Sequence, residues 1–241
     1  MLWLRSFLYN FIFYTINCPT FIVFSPALLL PKDLFRYVPR TWCLFNTYLL
    51  KYVVGLTYRI TGKEYISKTP VIYAMKHQSA WETLAMGHIL KWPAIVLKKQ
   101  LMNIPFFGWY LKHTNMIPID RRAGSKSLRD MVTAGKKVIE NNRPILIFPE
   151  GTRTLPGHTR KYQAGVYFLY KQLNIPVVPV AHNAGLFWKR RHFYKYPGTI
   201  TLAFLPPIQP GLSRDAFMSQ LETAIETTSQ QLIKAGEKKC D

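Results

Sequence analysis

The segment Lys76-His77-Gln78-Ser79-Ala80-Trp81-Glu82 sets a histidine and a glutamate with four residues between them. An imidazole alone is a weak base toward an alcohol. A carboxylate bonded to its far ring nitrogen fixes the tautomer and stabilises the imidazolium that forms when the proton is taken. Two further polar clusters, Ile119-Asp120-Arg121-Arg122 and Phe148-Pro149-Glu150-Gly151-Thr152-Arg153, close apolar runs. The first segment offers a general base, and the other two offer anion-binding groups. Together they point to acyl transfer onto a hydroxyl of a phosphorylated molecule. Each has a plainer reading too. If Ser79 caps a helix, Glu82 falls at the third helical position, where a capping box places a glutamate. From a turn that Gly151 permits, beside Thr152, Arg153 can reach a phosphate or sit in a surface ion pair. Asp120 and Arg121 can be an orienter and a phosphate ligand, or a charged turn. Glu150 cannot bind phosphate itself; it can hold an arginine or accept from a substrate hydroxyl.

Rigid elements must hold these groups. From residue 62 onward, short β-rich runs alternate with helical patterns. Strands are predicted over 71–75, 94–97, 116–119, 145–148, 177–181 and 199–204, and helices over 79–90, 125–141, 164–172 and 214–235. Such alternation predicts an α/β fold, a mainly parallel central sheet flanked by helices. His77, Asp120-Arg121 and Glu150 then leave strand ends, as do Lys98 and Lys99. Ligands of open α/β sheets bind at the carboxyl ends of strands, so the clusters converge on one rim. In the last helix, Phe217, Leu221, Ala224, Ile225 and Leu232 form a packing stripe.

The chain carries 32 lysines and arginines against 12 acidic residues, a net charge of +20. That field attracts anions, and charge alone admits both nucleic acid and anionic lipid. The N-terminus favours lipid. No charged residue occurs from Ser6 to Pro31, a run rich in Phe, Leu, Ile and Tyr. It is long enough to cross a bilayer core as a helix, but Pro19 and Pro26 predict interruptions, so an in-plane or re-entrant helical pair stands beside a single span. Residues 34–54 read as an interfacial amphipathic helix broken near Pro39. Lys32, Arg36, Arg40 and Lys51 follow the apolar run and predict a cytoplasmic side for the rest. Lys189, Arg190, Arg191 and Lys195 interleave with Phe187, Trp188, Phe193 and Tyr194, a mixture suited to a membrane interface. Cys18, Cys43 and Cys240 have no zinc or disulfide spacing, and His88, His113, His158, His182 and His192 have no ligand spacing, so no metal is expected. No glycine-rich nucleotide fingerprint and no Gly-x-Ser-x-Gly elbow occurs.

The order of the blocks His77…Glu82, Pro105-Phe106-Phe107-Gly108, Ile119-Asp120-Arg121, Phe148 to Arg153 and Val178-Pro179-Val180 resembles the glycerolipid acyltransferase family, specifically its bacterial 1-acylglycerol-3-phosphate acyltransferases. The likeness covers about residues 62–207. The family usually has Asp where this chain has Glu82, and often Asn where it has Lys76. The resemblance implies residues 1–55 as a membrane-anchoring helical segment and 56–241 as an α/β acyltransferase domain. It implies His77 as base, Glu82 as its orienter, and Arg121, Glu150, Gly151, Thr152 and Arg153 around the acceptor phosphate and glycerol; Lys98, read from its place at a strand end, is added to that set. The acceptor would be a lysophospholipid. The donor would be acyl-CoA or acyl-carrier protein, a co-substrate rather than a cofactor. The place would be the cytoplasmic side of a bacterial inner membrane, against anionic lipids, with no nucleic-acid partner. Unpaired amides entering the helix after His77 are expected to hold the oxyanion. Another lysophospholipid or a hydroxylated aminolipid is an alternative acceptor; a non-enzymatic membrane-bound anion binder is an alternative of another class.

Overall fold

The computed structural model describes residues 1–120 and 123–237. Their strands are β1 (Leu56–Thr61), β2 (Ile72–Met75), β3 (Ala94–Lys98), β4 (Ile117–Ile119), β5 (Ile145–Ile147), β6 (Val177–His182) and β7 (Gly198–Phe204). They form one sheet in the order β1-β7-β6-β2-β5-β3-β4. From β6 to β4 every pairing is parallel; β7 runs antiparallel to β6 and carries β1 parallel to itself. The mainly parallel sheet is therefore present, with two strands reversed at one flank. Strand β1 was not among the predicted strands. Its partner β7 lies far along the chain, and Tyr58 and Arg59 inside Leu56–Thr61 blur the alternation.

Helices cover both faces. They are α1 (Leu2–Val23), α2 (Lys32–Phe35), α3 (Tyr37–Leu49), α4 (Trp81–Ile89), α5 (Phe107–His113), α6 (Gly124–Glu140), α7 (Gly165–Leu173), α8 (Ala184–Phe187) and α9 (Arg214–Glu237). Strand side chains alternate between faces, and β2 shows the consequence. Tyr73 and Met75 enter one apolar cluster with Trp81 and Ala85 of α4. Ile72 and Ala74 enter the other with Met131 of α6, Leu169 of α7, and Phe217, Leu221 and Ile225 of α9. The same alternation carried past the strand sends Lys76 toward α9 and His77 toward α4.

The N-terminal segment packs on this unit along its length. Pro19 lies inside α1 without ending it; Pro26 instead opens a short 3-10 turn over Ser25–Leu29. Pro39 falls in the first turn of α3, where a helix tolerates the missing N–H, and the break comes earlier, at Arg36. One stripe of α1 is held by the protein. Ser6 exchanges hydrogen bonds with the backbone of Lys195, Tyr9 packs edge-on to Trp188, Asn17 bonds Asn46 at 3.0 Å, and Phe21 meets Phe107 and Tyr110. Trp3, Leu4, Phe7, Leu8, Phe11 and Tyr14 of α1 are instead exposed. By length and composition α1 could cross a membrane.

Candidate active site

His77 leaves the end of β2, and its Nδ1 lies 2.7 Å from Glu82 Oε1. The same oxygen accepts the Gln78 N–H at 2.9 Å and the Ser79 N–H at 2.8 Å. Capping and orienting, which the sequence offers as rival roles for Glu82, are thus done by one oxygen. The carboxylate fixes the turn that brings the imidazole to it. With Nδ1–H donating to Glu82, Nε2 keeps its lone pair, and the side chain is 15% exposed. The ring stacks on Phe148 at 4.1 Å between centroids, which fixes its plane. Burial opposes the ionised form of Glu82, but the hydrogen bond from the His77 ring, electrostatic interaction with His182 and His77 and, last, the Ser79 amide together prevail and hold the carboxyl below its ordinary range.

Three of the amides entering α4 are occupied. Those of Gln78 and Ser79 go to Glu82, and that of Trp81 goes to Ser79 Oγ. The expectation that this turn holds an oxyanion is not met by those three donors, because Glu82 and Ser79 supply the caps that such amides otherwise lack.

Glu150, expected at the acceptor, is turned inward and fully buried. Its Oε2 accepts the backbone N–H of His77 at 2.8 Å, and its Oε1 accepts from Lys76 Nζ at 2.9 Å. Lys76 also donates to both oxygens of Glu226 on α9, each at 2.8 Å, and to the carbonyl of His158 at 3.2 Å. Tyr162 donates to Glu226 Oε1 at 2.8 Å. Burial, and then the Glu226 charge, push the Tyr162 hydroxyl well above its ordinary range, so it stays a donor. His182 closes the back of the site. Its Nε2 lies 2.8 Å from the carbonyl of Lys76, and its Nδ1 accepts the N–H of Ala184. Both nitrogens are satisfied in the neutral ring. Burial, the largest cause, holds its pKa below the usual imidazole value.

The cationic groups stand outward. Gly151 takes φ +70 in a turn whose N–H bonds the Phe148 carbonyl at 2.9 Å, and Thr152 and Arg153 follow, both partly exposed. The next residue, Thr154, donates its N–H to the His77 carbonyl at 2.8 Å, tying this loop to the histidine. Arg190 donates to the Arg153 carbonyl, which sets the basic-aromatic stretch beside the same loop. Lys98 ends β3 exposed, and Lys99 approaches Asp120 at 3.8 Å. Strands lie about 4.8 Å apart, so the rim from β2 through β5 and β3 to β4 spans roughly 14 Å. The structure therefore brings His77, Glu82, Glu150 and the Gly151–Arg153 turn together and sets Lys98 further along that rim. Arg121 lies outside the described residues. The residues that the sequence reading passed over are His182, Tyr162, Glu226 and Lys76 as an ion-pair partner. Strand alternation could have sent Lys76 to the α9 face; nothing local marks its partners.

An acyltransferase family model matches residues 57–183, more than half of the chain. A 1-acyl-sn-glycerol-3-phosphate acyltransferase of Pseudomonas aeruginosa is 37% identical over 172 residues, covering 71% of this chain and 67% of that protein. A yeast protein of the same name, from Saccharomyces cerevisiae, is 29% identical over 142 residues, covering 57% of this chain and 46% of its own length. The chain thus spans about two thirds of the first relative and under half of the second. The crystal structure of the 1-acyl-sn-glycerophosphate (LPA) acyltransferase PlsC from Thermotoga maritima superposes with a TM-score of 0.75 at 20% identity, over 95% of each chain, so the fold is shared from end to end. The family-model match ends just past β6 and takes in the His77–Glu82 pair and the Glu150–Arg153 turn, and on that match and the Pseudomonas identity the chain belongs to the acyltransferase family, among the 1-acyl-sn-glycerol-3-phosphate acyltransferases.

Proposed function

We propose that this acyltransferase moves a fatty acyl group from an acyl thioester to the free hydroxyl of 1-acylglycerol-3-phosphate, giving phosphatidic acid and a free thiol. The observation that carries the reading is the 2.7 Å contact of His77 Nδ1 with Glu82 Oε1, which leaves Nε2 as a base at the rim. Nε2 takes the hydroxyl proton while the oxygen attacks the thioester carbonyl. Glu82, already ionised, stabilises the imidazolium so formed. The tetrahedral adduct collapses with cleavage of the C–S bond, and the imidazolium returns its proton to the departing thiolate. A thioester carries its own activation, so this chain's residues need only position the reactants and move one proton.

Arg153 and the Gly151–Thr152 turn, tied to His77 through Thr154, are the acceptor-phosphate groups nearest the base. Lys98 continues the cationic rim beyond β5, and the resemblance adds Arg121 as a further acceptor-phosphate residue. The donor is acyl-CoA or acyl-carrier protein, and both present the same thioester. Membrane attachment fits α1 lying in the interface plane. A helix of 22 residues is about 33 Å long and could span a bilayer, but its Ser6-to-Phe21 stripe stays on the protein, so a transverse orientation would carry Trp188, Asn46 and Tyr110 into the bilayer. An in-plane helix buries Trp3, Phe7 and Phe11 in lipid and leaves the basic rim facing anionic headgroups. The proposed location is the cytoplasmic face of a bacterial inner membrane.

The test is thiol release by the full chain in detergent, with long-chain acyl-CoA or acyl-carrier protein. Thiol is expected only when 1-acylglycerol-3-phosphate is present, with phosphatidic acid appearing in equal amount. Thiol release independent of acceptor means hydrolysis and removes the reading.

A further inference from the structure

Lys76 is 1% exposed. A buried ammonium is costly unless it is paired and hydrogen-bonded. Here it donates to Glu150, to both oxygens of Glu226 and to the His158 carbonyl. Glu150 also bonds the His77 amide through its other oxygen, so the cluster ends on the backbone of the catalytic residue.

Resting on the acyl-transfer reading of His77, we propose that Lys76 and Glu226 are positioning residues for His77, and that the Lys76–Glu150–Glu226–Tyr162 cluster ties the C-terminal helix α9 to the register of the catalytic base. Two carboxylates bind one ammonium, and Oε1 of Glu150 and both oxygens of Glu226 lie within 2.9 Å of it. Without the cation those carboxylates would repel each other across a largely buried space. Glu150 would then shift or become protonated, and the His77 amide would lose a charged acceptor whose geometry holds the strand end. Tyr162 adds a second grip on Glu226 from the loop that precedes α7. Glu226 sits in the middle of α9, directly after Ile225, whose side chain is fully buried in the core. The apolar stripe of α9 thus fixes where Glu226 stands, Glu226 fixes Lys76, and Lys76 with Glu150 fixes the backbone of His77. A misplacement of about 1 Å at a reacting group costs on the order of 10²-fold in rate, so this chain of contacts acts on turnover rather than on substrate capture.

The experiment compares wild type, Lys76→Met, Glu226→Gln, the double variant K76M/E226Q and Tyr162→Phe, with His77→Ala as control. Each is purified in detergent, checked for folding by circular dichroism and melting, and assayed for kcat and for KM of acceptor and donor. Lys76→Met is expected to lower kcat on the order of 10²-fold with both KM values within about two-fold of wild type. The double variant is expected to regain about ten-fold or more over K76M, because one of the two stranded carboxylates is gone and the new amide can donate to Glu150. Glu226→Gln and Tyr162→Phe, which leave the cation in place, are expected to lower kcat by about three- to ten-fold. A folded K76M with wild-type kcat, a loss confined to KM, or a double variant no better than the product of the single effects overturns the proposal. If K76M does not fold, E226Q and Y162F decide it, and wild-type kcat in both overturns it. Retained activity in His77→Ala would instead remove the reading of the site on which the proposal rests.

Discussion

Behind His77, Lys76, Glu82, Glu150 and Glu226 are buried and bonded; in front of it Lys98 and Arg190 stand in solvent. Glu82, Glu150 and Lys76 are each no more than 1% exposed, and Glu226 closes the set from α9. Lys98 and Arg190 are exposed, Arg153 is partly so, and no ion pair involves any of the three among the described residues. The two regions solve different problems. The inner one fixes a base in space, and its interactions are shielded from salt. On the proposed reading the outer one meets an anion that arrives with its own hydration, so its charges are solvated beforehand and screened over about 10 Å at 0.1 M ionic strength. Changes behind His77 should therefore fall on kcat, and changes in front of it on KM.

The largest effects test the inner region. His77→Ala should lower kcat by on the order of 10²–10⁴-fold, since a positioned general base contributes about that much. The melting temperature should hardly move. Unchanged turnover by purified H77A would take His77 out of the reaction. Glu82→Gln keeps an oxygen for the Gln78 and Ser79 amides but removes the charge that stabilises the imidazolium. It should cost on the order of 10²–10³-fold in kcat with KM little altered. A Glu82→Gln enzyme with full kcat would leave Glu82 as a cap alone.

How far each region can be read from sequence follows the same division. The His77–Glu82 pair and the turn to Arg153 are local in the chain, so spacing and residue type expose them. The strands 71–75, 145–148 and 177–181 nearly coincide with Ile72–Met75, Ile145–Ile147 and Val177–His182, because fully buried parallel strands read as unbroken apolar runs. What escapes is non-local. Glu226 is 150 residues from Lys76 and hides in an amphipathic helix as one more polar position. Glu150 looks like an acceptor ligand until its two oxygens are found to be occupied. Pro19 looks like a helix breaker, but tertiary contacts on both sides of it, at Asn17 and Phe21, keep α1 continuous. The reversal of β7 against β6 has no signature in either strand.

The outer region should respond more mildly. Arg153→Ala removes charge-assisted hydrogen bonds to phosphate, each worth about 1.5–3 kcal/mol, so the KM for 1-acylglycerol-3-phosphate should rise by about 10- to 100-fold with kcat within about three-fold. Steady-state kinetics with monoacylglycerol as a second acceptor sharpens the point. Wild type and variant should be alike on that uncharged substrate. A variant that loses the same factor on both acceptors would show that Arg153 shapes the loop rather than binding the phosphate. Raising ionic strength should imitate the variant in wild type, lifting KM for the charged acceptor alone.

The smallest effect on activity should come from His88, a buried histidine on α4 that faces away from the rim. Thr47 donates its hydroxyl to the Cys43 carbonyl at 2.9 Å, so its oxygen accepts from His88 Nε2 at 3.1 Å. Burial first, and then the charge of Arg40, hold the His88 pKa down at about 4. A histidine whose pKa is depressed by folding takes up a proton more readily when unfolded. Its contribution is therefore whole above the unfolded value near 6.5 and is lost as pH falls toward 4. His88→Gln can still donate to Thr47 and carries no titrating group, so kcat at pH 7 should stay within about two-fold of wild type. Urea unfolding followed at pH 7, 5.5 and 4.5 should show a shallower loss of stability in the variant than in wild type. Equal slopes would mean that the acid sensitivity of the inner region lies elsewhere, with neutral His182, walled in by the Lys76 carbonyl and the Ala184 amide, the next group to change.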